Sequence, residues 1–327
     1  MPRATATGIA TRHRHRIEGR DGGRLFTKLG EDPRERDELR REAEVLGLLN
    51  RRLPATARLA PACRGWSEED GALRLEAVEG EDLARRLLAS GVLDVGVTTA
   101  LATALAVLHE EGRAAPDEWP GTARSAPVGV HRPTPADNHR YSAGALDVLI
   151  LLQRSAPLCA HLDRLCVPPP LETLVHGDVR LENVLAEGPS AVRLVDWEFA
   201  GAGEALWDVA CFVASCLGAW LWSIPQIPAV PPARLVDEAT LPLAAIRPGL
   251  TAFWTAYEAR SGVDSATGLR RCIDLAAVRL AQLAVEAADD TEDLRAVSVM
   301  HLQVALNTLD RPGEAATELL GLSLRDG

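Results

Sequence analysis

The sequence predicts an α/β (α+β) fold in two lobes: a small strand-containing lobe at residues 1–78 and a large helical lobe at residues 79–327. Three observations carry this. Strand signals gather early, where Arg24 to Leu29 follows the turn Asp21-Gly22-Gly23 and Leu73 to Val78 runs up to Glu79-Gly80. Beyond residue 79 apolar residues recur mostly at helical spacing. One stretch, Leu174 to Glu198, breaks that rhythm and reads as loop, short strand, turn at Glu187-Gly188-Pro189 and second strand. A chain of 327 residues has room for both lobes.

Between the two early strands, Pro33 to Leu49 is helical. At about 100° per residue, Leu39, Ala43, Val45, Leu46 and Leu49 share one side. Glu42 falls near the centre of that apolar face, and Glu44 points away. After Glu79-Gly80 comes a helix with Leu83, Leu87 and Leu88, then an amphipathic helix marked by Leu101, Leu105 and Leu108. Residues 114–138 are rich in Pro, Gly and polar residues and predict a long loop or insertion. Leu146 to Leu152 begins another helix. Four more follow at Leu206–Trp222, Leu250–Arg260, Leu269–Ala287 and Thr291–Leu309.

Apolar residues are 47% and charged residues 25% of the chain, as expected of a soluble globular protein. The first twenty residues are polar and Arg-rich, unlike a signal peptide. Leu206 to Ile224, the most apolar run, contains Asp208 and predicts a buried helix rather than a membrane span. A cytoplasmic location is expected. The six cysteines include no C-x-x-C pair and predict free core thiols, not zinc ligands or disulfides. A net charge of −11 argues against nucleic acid as a partner. Of the 35 basic residues only Lys28 is lysine.

The strongest chemical signal is His176-Gly177-Asp178-Val179-Arg180-Leu181-Glu182-Asn183, followed by Asp196-Trp197-Glu198. Transfer of a phosphoryl group needs metal ions to bridge the phosphates and a carboxylate to orient the attacking hydroxyl. An Asp and an Asn five residues apart can serve hydroxyl and metal, and an Asp thirteen residues later can return to the same metal across a hairpin. Magnesium prefers such hard oxygen ligands.

This H-G-D-x-x-x-x-N segment with its later D-W-E resembles the aminoglycoside phosphotransferase and choline kinase-like family, and the resemblance extends loosely from Arg24 to Leu309. It implies a protein-kinase-like fold and an ATP- and Mg2+-dependent phosphotransferase with an alcohol acceptor. Residue by residue, it implies that Asp178 is the catalytic base or orienting carboxylate, Asn183 a magnesium ligand and Asp196 the principal one. It implies too that His176 shapes the catalytic loop and that Asp208, in Leu206-Trp207-Asp208, braces it. Kinase-like enzymes hold the α- and β-phosphates with a strand lysine, itself held by a helical glutamate. Lys28 and Glu42 fit those roles, with Glu38, one turn earlier, as the alternative partner. Glu79-Gly80-Glu81-Asp82-Leu83, after the strand Leu73 to Val78, resembles the family's hinge, which implies that backbone groups around Glu76 to Val78 hold the adenine. In one departure, no clear Gly-containing loop precedes Lys28. Gly8 and Gly22-Gly23 are the candidates.

Three softer features favour plain readings. Arg12, Arg14 and Arg16 alternate with His13 and His15, and a solvated, frayed terminus is expected. The cluster Glu286, Asp289, Asp290, Glu292 and Asp293 predicts a helix junction with Asp290 or Thr291 as N-cap, although it could also attract a cationic antibiotic. Trp220 to Pro225 predicts core at a helix end, or a wall of an acceptor groove. Three functional readings remain. The favoured acceptor is a Ser or Thr of a biosynthetic precursor peptide, as in the similar phosphotransferases of class V lanthipeptide and thioamitide biosynthesis, which would imply a partner enzyme of a biosynthetic complex. The alternatives are a kinase for an aminoglycoside, other antibiotic or amino alcohol, and a pseudokinase binding subunit.

Overall fold

Four antiparallel strands in the order β1-β2-β4-β3 form the first sheet: β1 (Arg14–Arg20), β2 (Gly23–Leu29), β3 (Cys63–Ser67) and β4 (Ala72–Glu76). The structure is a computed structural model and describes residues 14–20, 23–113, 119, 121–123, 129–133, 141–167, 170–227 and 230–324. Helix α1 (Pro33–Arg52) lies across β2, β3 and β4. It starts where expected because Asp32 accepts from the amides of Arg34 and Glu35, with Pro33 in the first turn. Its Leu39, Leu46 and Leu49 join Phe26, Leu73 and Leu75 of the sheet in one core.

Strand β1 corrects the frayed-terminus reading for residues 14–20; Arg12 and His13 lie outside the described residues. The alternation of Arg and His is itself the strand signal, since side chains two apart share a face. Arg14 and Arg16 are exposed, while His15 stacks on Phe26 with ring centroids 5.1 Å apart. Arg20 pairs with Gly23 across the hairpin of the first two strands. Asp21, Gly22 and Gly8 lie outside the described residues.

A two-residue strand β5 (Glu81–Asp82) follows the first sheet, and Asp82 then caps α2 (Leu83–Ser90) by accepting from the Arg85 amide. Leu83 and Leu87 are buried as expected, but Leu88 is exposed. The helical bulk contains α3 (Val95–Gly112), α4 (Ala143–Arg154), α5 (Ala156–Leu165), α6 (Ala205–Ser223), α7 (Leu243–Ser261), α8 (Ser265–Glu286), α9 (Ala296–Asp310) and α10 (Pro312–Leu320). Helix α3 packs on α7, and α8 packs between α6 and α9. The expected 114–138 loop lies largely outside the described residues, though Trp119 within it is buried and donates to the Gly112 carbonyl at 3.1 Å.

The break at 174–198 is as expected in kind and richer in detail. Strand β6 (Thr173–Val175) pairs with β9 (Gly201–Gly203), and β7 (Val184–Ala186) forms a hairpin with β8 (Val192–Leu194). Helix α9 starts later than its sequence indicates, at Ala296 behind Arg295. Neither Asp290 nor Thr291 caps it, because the Thr291 hydroxyl donates to the Ala288 carbonyl at 2.9 Å instead. Among the described residues α6 has the length and hydropathy of a membrane span, yet 78% of that stretch is buried inside the protein. All six cysteines are free thiols.

Candidate active site

Lys28 and Glu42 meet as their positions on strand and helix predict. The ammonium donates to both carboxylate oxygens of Glu42, at 2.9 and 2.8 Å, and both side chains are buried. The alternative Glu38 pairs with Arg34. Lys28 also donates to Asp196, so one cation is shared by two carboxylates. Burial disfavours the lysine's charge, but Asp196 and Glu42, with Glu198 behind them, outweigh it and hold its pKa above the ordinary value. Burial pushes the Glu42 pKa up, and Lys28 pulls against it. The Trp197 amide donates to Glu42 at 3.2 Å and ties the helix to the segment carrying Asp196.

Asp196 follows β8, and its φ is +67°. Among the described residues it is the one non-glycine with positive φ. Such a backbone places strain at a site where the side chain must point one way. The hairpin β7–β8 brings Asn183 beside this segment, since the Val195 amide donates to the Asn183 carbonyl at 3.0 Å. Asn183 ends a turn of 3-10 helix at Leu181–Asn183, and its amide nitrogen donates to the Asp178 carbonyl at 3.0 Å and to its Oδ2 at 3.3 Å.

The loop holding Asp178 is braced by buried polar groups. Asp208, in the first turn of α6, accepts from the amides of His176 and Gly177, both at 2.8 Å. His176 donates through Nε2 to the Val195 carbonyl at 3.0 Å and accepts through Nδ1 from the Asp178 amide at 3.2 Å, which fixes its tautomer. Gly177 has φ +85°, and a Cβ there would stand 2.7 Å from the Phe199 carbonyl oxygen, so only glycine fits. These are the bracing roles expected of His176 and Asp208.

Sequence reasoning missed several members of the site. His109 of α3 contacts Asp208 at 3.1 Å and the Tyr257 hydroxyl at 2.9 Å. Arg279 of α8 reaches Asp178 Oδ1 at 3.3 Å and also grips Glu286. One signal was available: Arg279 falls in line with Cys272 and Ala276 on a buried helix face, the same criterion that singles out Glu42. Burial raises the Asp178 pKa, and Arg279 is the largest influence opposing it.

Beside Lys28 and Asp196 opens a cleft of about 360 Å³, lined also by Phe26, Leu75, Glu76, Val78 and Val195. Ile17 and Arg24, on the two strands of the first hairpin, form part of its wall. Glu76 and Val78 thus face the cleft where the hinge was expected. The Glu76 carboxylate is occupied elsewhere, accepting from the Ala62 amide at 3.0 Å and from Arg193 at 2.9 Å.

A cleft of this size, edged by a buried ammonium and the aspartate paired with it, is equipment for phosphoryl transfer. The chain belongs to the phosphotransferase enzyme family, whose model matches residues 6–242. It is a phosphotransferase in a two-lobed protein-kinase-like fold. Among solved structures, spectinomycin phosphotransferase APH(9)-Ia, in complex with ADP and spectinomycin, is similar at 12% identity and TM-score 0.52, covering 95% of this chain and 92% of that one. The macrolide 2'-phosphotransferase MphH of Brachybacterium faecium aligns at 16% identity and TM-score 0.48, covering 93% and 91%. Choline kinase LicA of Streptococcus pneumoniae aligns at 15% identity and TM-score 0.47, covering 90% and 89%. A search of curated protein sequences finds no match.

Proposed function

We propose that the enzyme moves the γ-phosphoryl group of ATP, with Mg2+, to a hydroxyl of a small organic acceptor. The observation that carries this is the pairing of Lys28 with Glu42 and Asp196 at one edge of the cleft, with Asn183 bonded to Asp178 and tied through its carbonyl to the Val195 amide that precedes Asp196. Bound ATP and magnesium supply the phosphoryl group and neutralise the charge that develops on it. Asp196 and the Asn183 side-chain oxygen suit magnesium as hard donors. Lys28 binds the α- and β-phosphates, backbone groups of the hinge from Glu76 to Val78 hold the adenine, and Asp178 orients the hydroxyl and accepts its proton. The lobes divide at residues 78 and 79. A nucleotide in this cleft agrees with the ADP named for the spectinomycin enzyme of the same fold. Intact ion pairing at Lys28 supports a working enzyme over a binding subunit.

A second acceptor, Ser or Thr of a precursor peptide delivered with a partner enzyme, is supported by apolar surface on the helical side. Trp222 at the end of α6 is 45% exposed, Leu294 is 41% exposed, and Arg295 lies 5.9 Å over the Trp222 ring. The test is mass spectrometry for one added phosphate on aminoglycosides, amino alcohols and Ser/Thr peptides incubated with enzyme and Mg-ATP, with EDTA as control. Phosphate on a small molecule supports the first reading. Phosphate on peptides alone transfers the conclusion to the second, and ATP turnover insensitive to EDTA would reject magnesium.

A further inference from the structure

Arg279 is a charged side chain, only 6% exposed, on the middle of α8. It lies past residue 242, where the family match ends. Its fork is fully engaged. Nη1 donates to Glu286 Oε1 and to Gln282 Oε1 at 3.4 Å, while Nη2 donates to Glu286 Oε2 at 3.3 Å and to Asp178 Oδ1 at 3.3 Å. Gln282 and Glu286 stand three and seven residues further along the same helix, so α8 supplies the guanidinium and its anchor together. On the opposite side of the carboxylate, Asn183 holds Oδ2 at 3.3 Å. Both oxygens of Asp178 are therefore held, one by α8 and one by its own loop.

A buried guanidinium is costly unless paired, and helix packing alone gives no reason to place one at this position. We infer that Arg279, clamped by Glu286 and Gln282, is a positioning residue that fixes the orientation of the Asp178 carboxylate for phosphoryl transfer. The inference rests on the role given to Asp178 above. The fork is required, because one nitrogen must stay on Glu286 while the other reaches Asp178, and an ammonium has no second arm at that spacing. Glu286 anchors Arg279 from the side away from Asp178. Its side chain is 40% exposed, so water can solvate it when the arginine is removed.

The experiment uses the whole enzyme with Mg-ATP and water as the acceptor, so that no unidentified substrate is needed. Arg279→Met should lower kcat about 10²-fold, the order expected when a reacting group is displaced by about 1 Å, with the KM for ATP unchanged. Arg279→Lys should recover only part of that loss. The double variant Arg279→Met/Glu286→Gln should be no slower than Arg279→Met, because residues acting as one unit are not additive. The double variant also removes the orphaned carboxylate and guards against misfolding, and melting temperatures and nucleotide titrations check both proteins. Wild-type kcat in Arg279→Met, a KM that rises in step with the fall in kcat, or losses that multiply in the double variant would each overturn the inference. Asp178→Asn is measured in parallel. If it slows turnover while Arg279→Met does not, the positioning role alone is wrong. If neither slows it, the role of Asp178 falls as well.

Discussion

Lys28 and Arg279 are buried cations each shared between two carboxylates, and the two clusters differ in how they meet solvent. Lys28 sits between Glu42 and Asp196, with side-chain exposures of 2%, 0% and 8%. Arg279 sits between Asp178 and Glu286, and there the outer carboxylate is 40% exposed. The first cluster is drawn from three separate elements, strand β2, helix α1 and the segment after β8. The second takes two of its three members from one helix. A compact ammonium suits the first, where two carboxylates converge on one point, and a rigid fork suits the second, where two carboxylates are held by separate nitrogens. The lysine's charges are thus held dry and joined to the first sheet, and the arginine's are held largely from α8 and open to water on one side.

That contrast can be broken at three points. The largest effect is expected at Asp196, where Asp196→Ala should abolish magnesium-dependent ATP turnover in a protein that still melts cooperatively. Wild-type-like turnover in the folded variant would remove Asp196 from the site. Next is Asp178→Asn, nearly isosteric, which should reduce transfer by about 10²–10⁴-fold with nucleotide affinity preserved. The loose transition state of phosphoryl transfer pulls the figure toward the lower end. Affinity and rate falling together by one factor would make Asp178 a binding residue and erase the distinction between the clusters. The smallest is Lys28→Arg, expected to cost about 10-fold or more in turnover although the charge is kept, since the planar fork does not fit a point-charge position. Equal activity would mean that the two cations are interchangeable after all.

How much of this was legible in the sequence depended on the distance between partners along the chain. Asp178, Asn183 and Asp196 announce themselves because metal and hydroxyl chemistry require short, fixed spacings. Glu42 is legible because a carboxylate centred on an apolar helix face demands a partner, and the single lysine is a ready candidate. His109 and Arg279 reach their partners across 99 and 101 residues, and no local pattern names those partners. Strand β1 was obscured because its alternating residues are Arg and His rather than apolar, so the period was visible while the burial was not. The start of α9 misled in the other direction. Asp290 and Thr291 have cap chemistry, but the hydroxyl is captured by the preceding turn.

The backbone at Asp196 carries a consequence for how this enzyme trades folding against catalysis. With φ at +67°, the residue occupies a conformation that glycine adopts freely and that costs any side-chain-bearing residue about 1–2 kcal/mol. Glycine would therefore be the better residue for the backbone at this position, and it has no side-chain oxygen to offer Lys28. The chain keeps a carboxylate where its own backbone favours glycine, so the substitution that relieves the backbone is the one that breaks the buried ion pair.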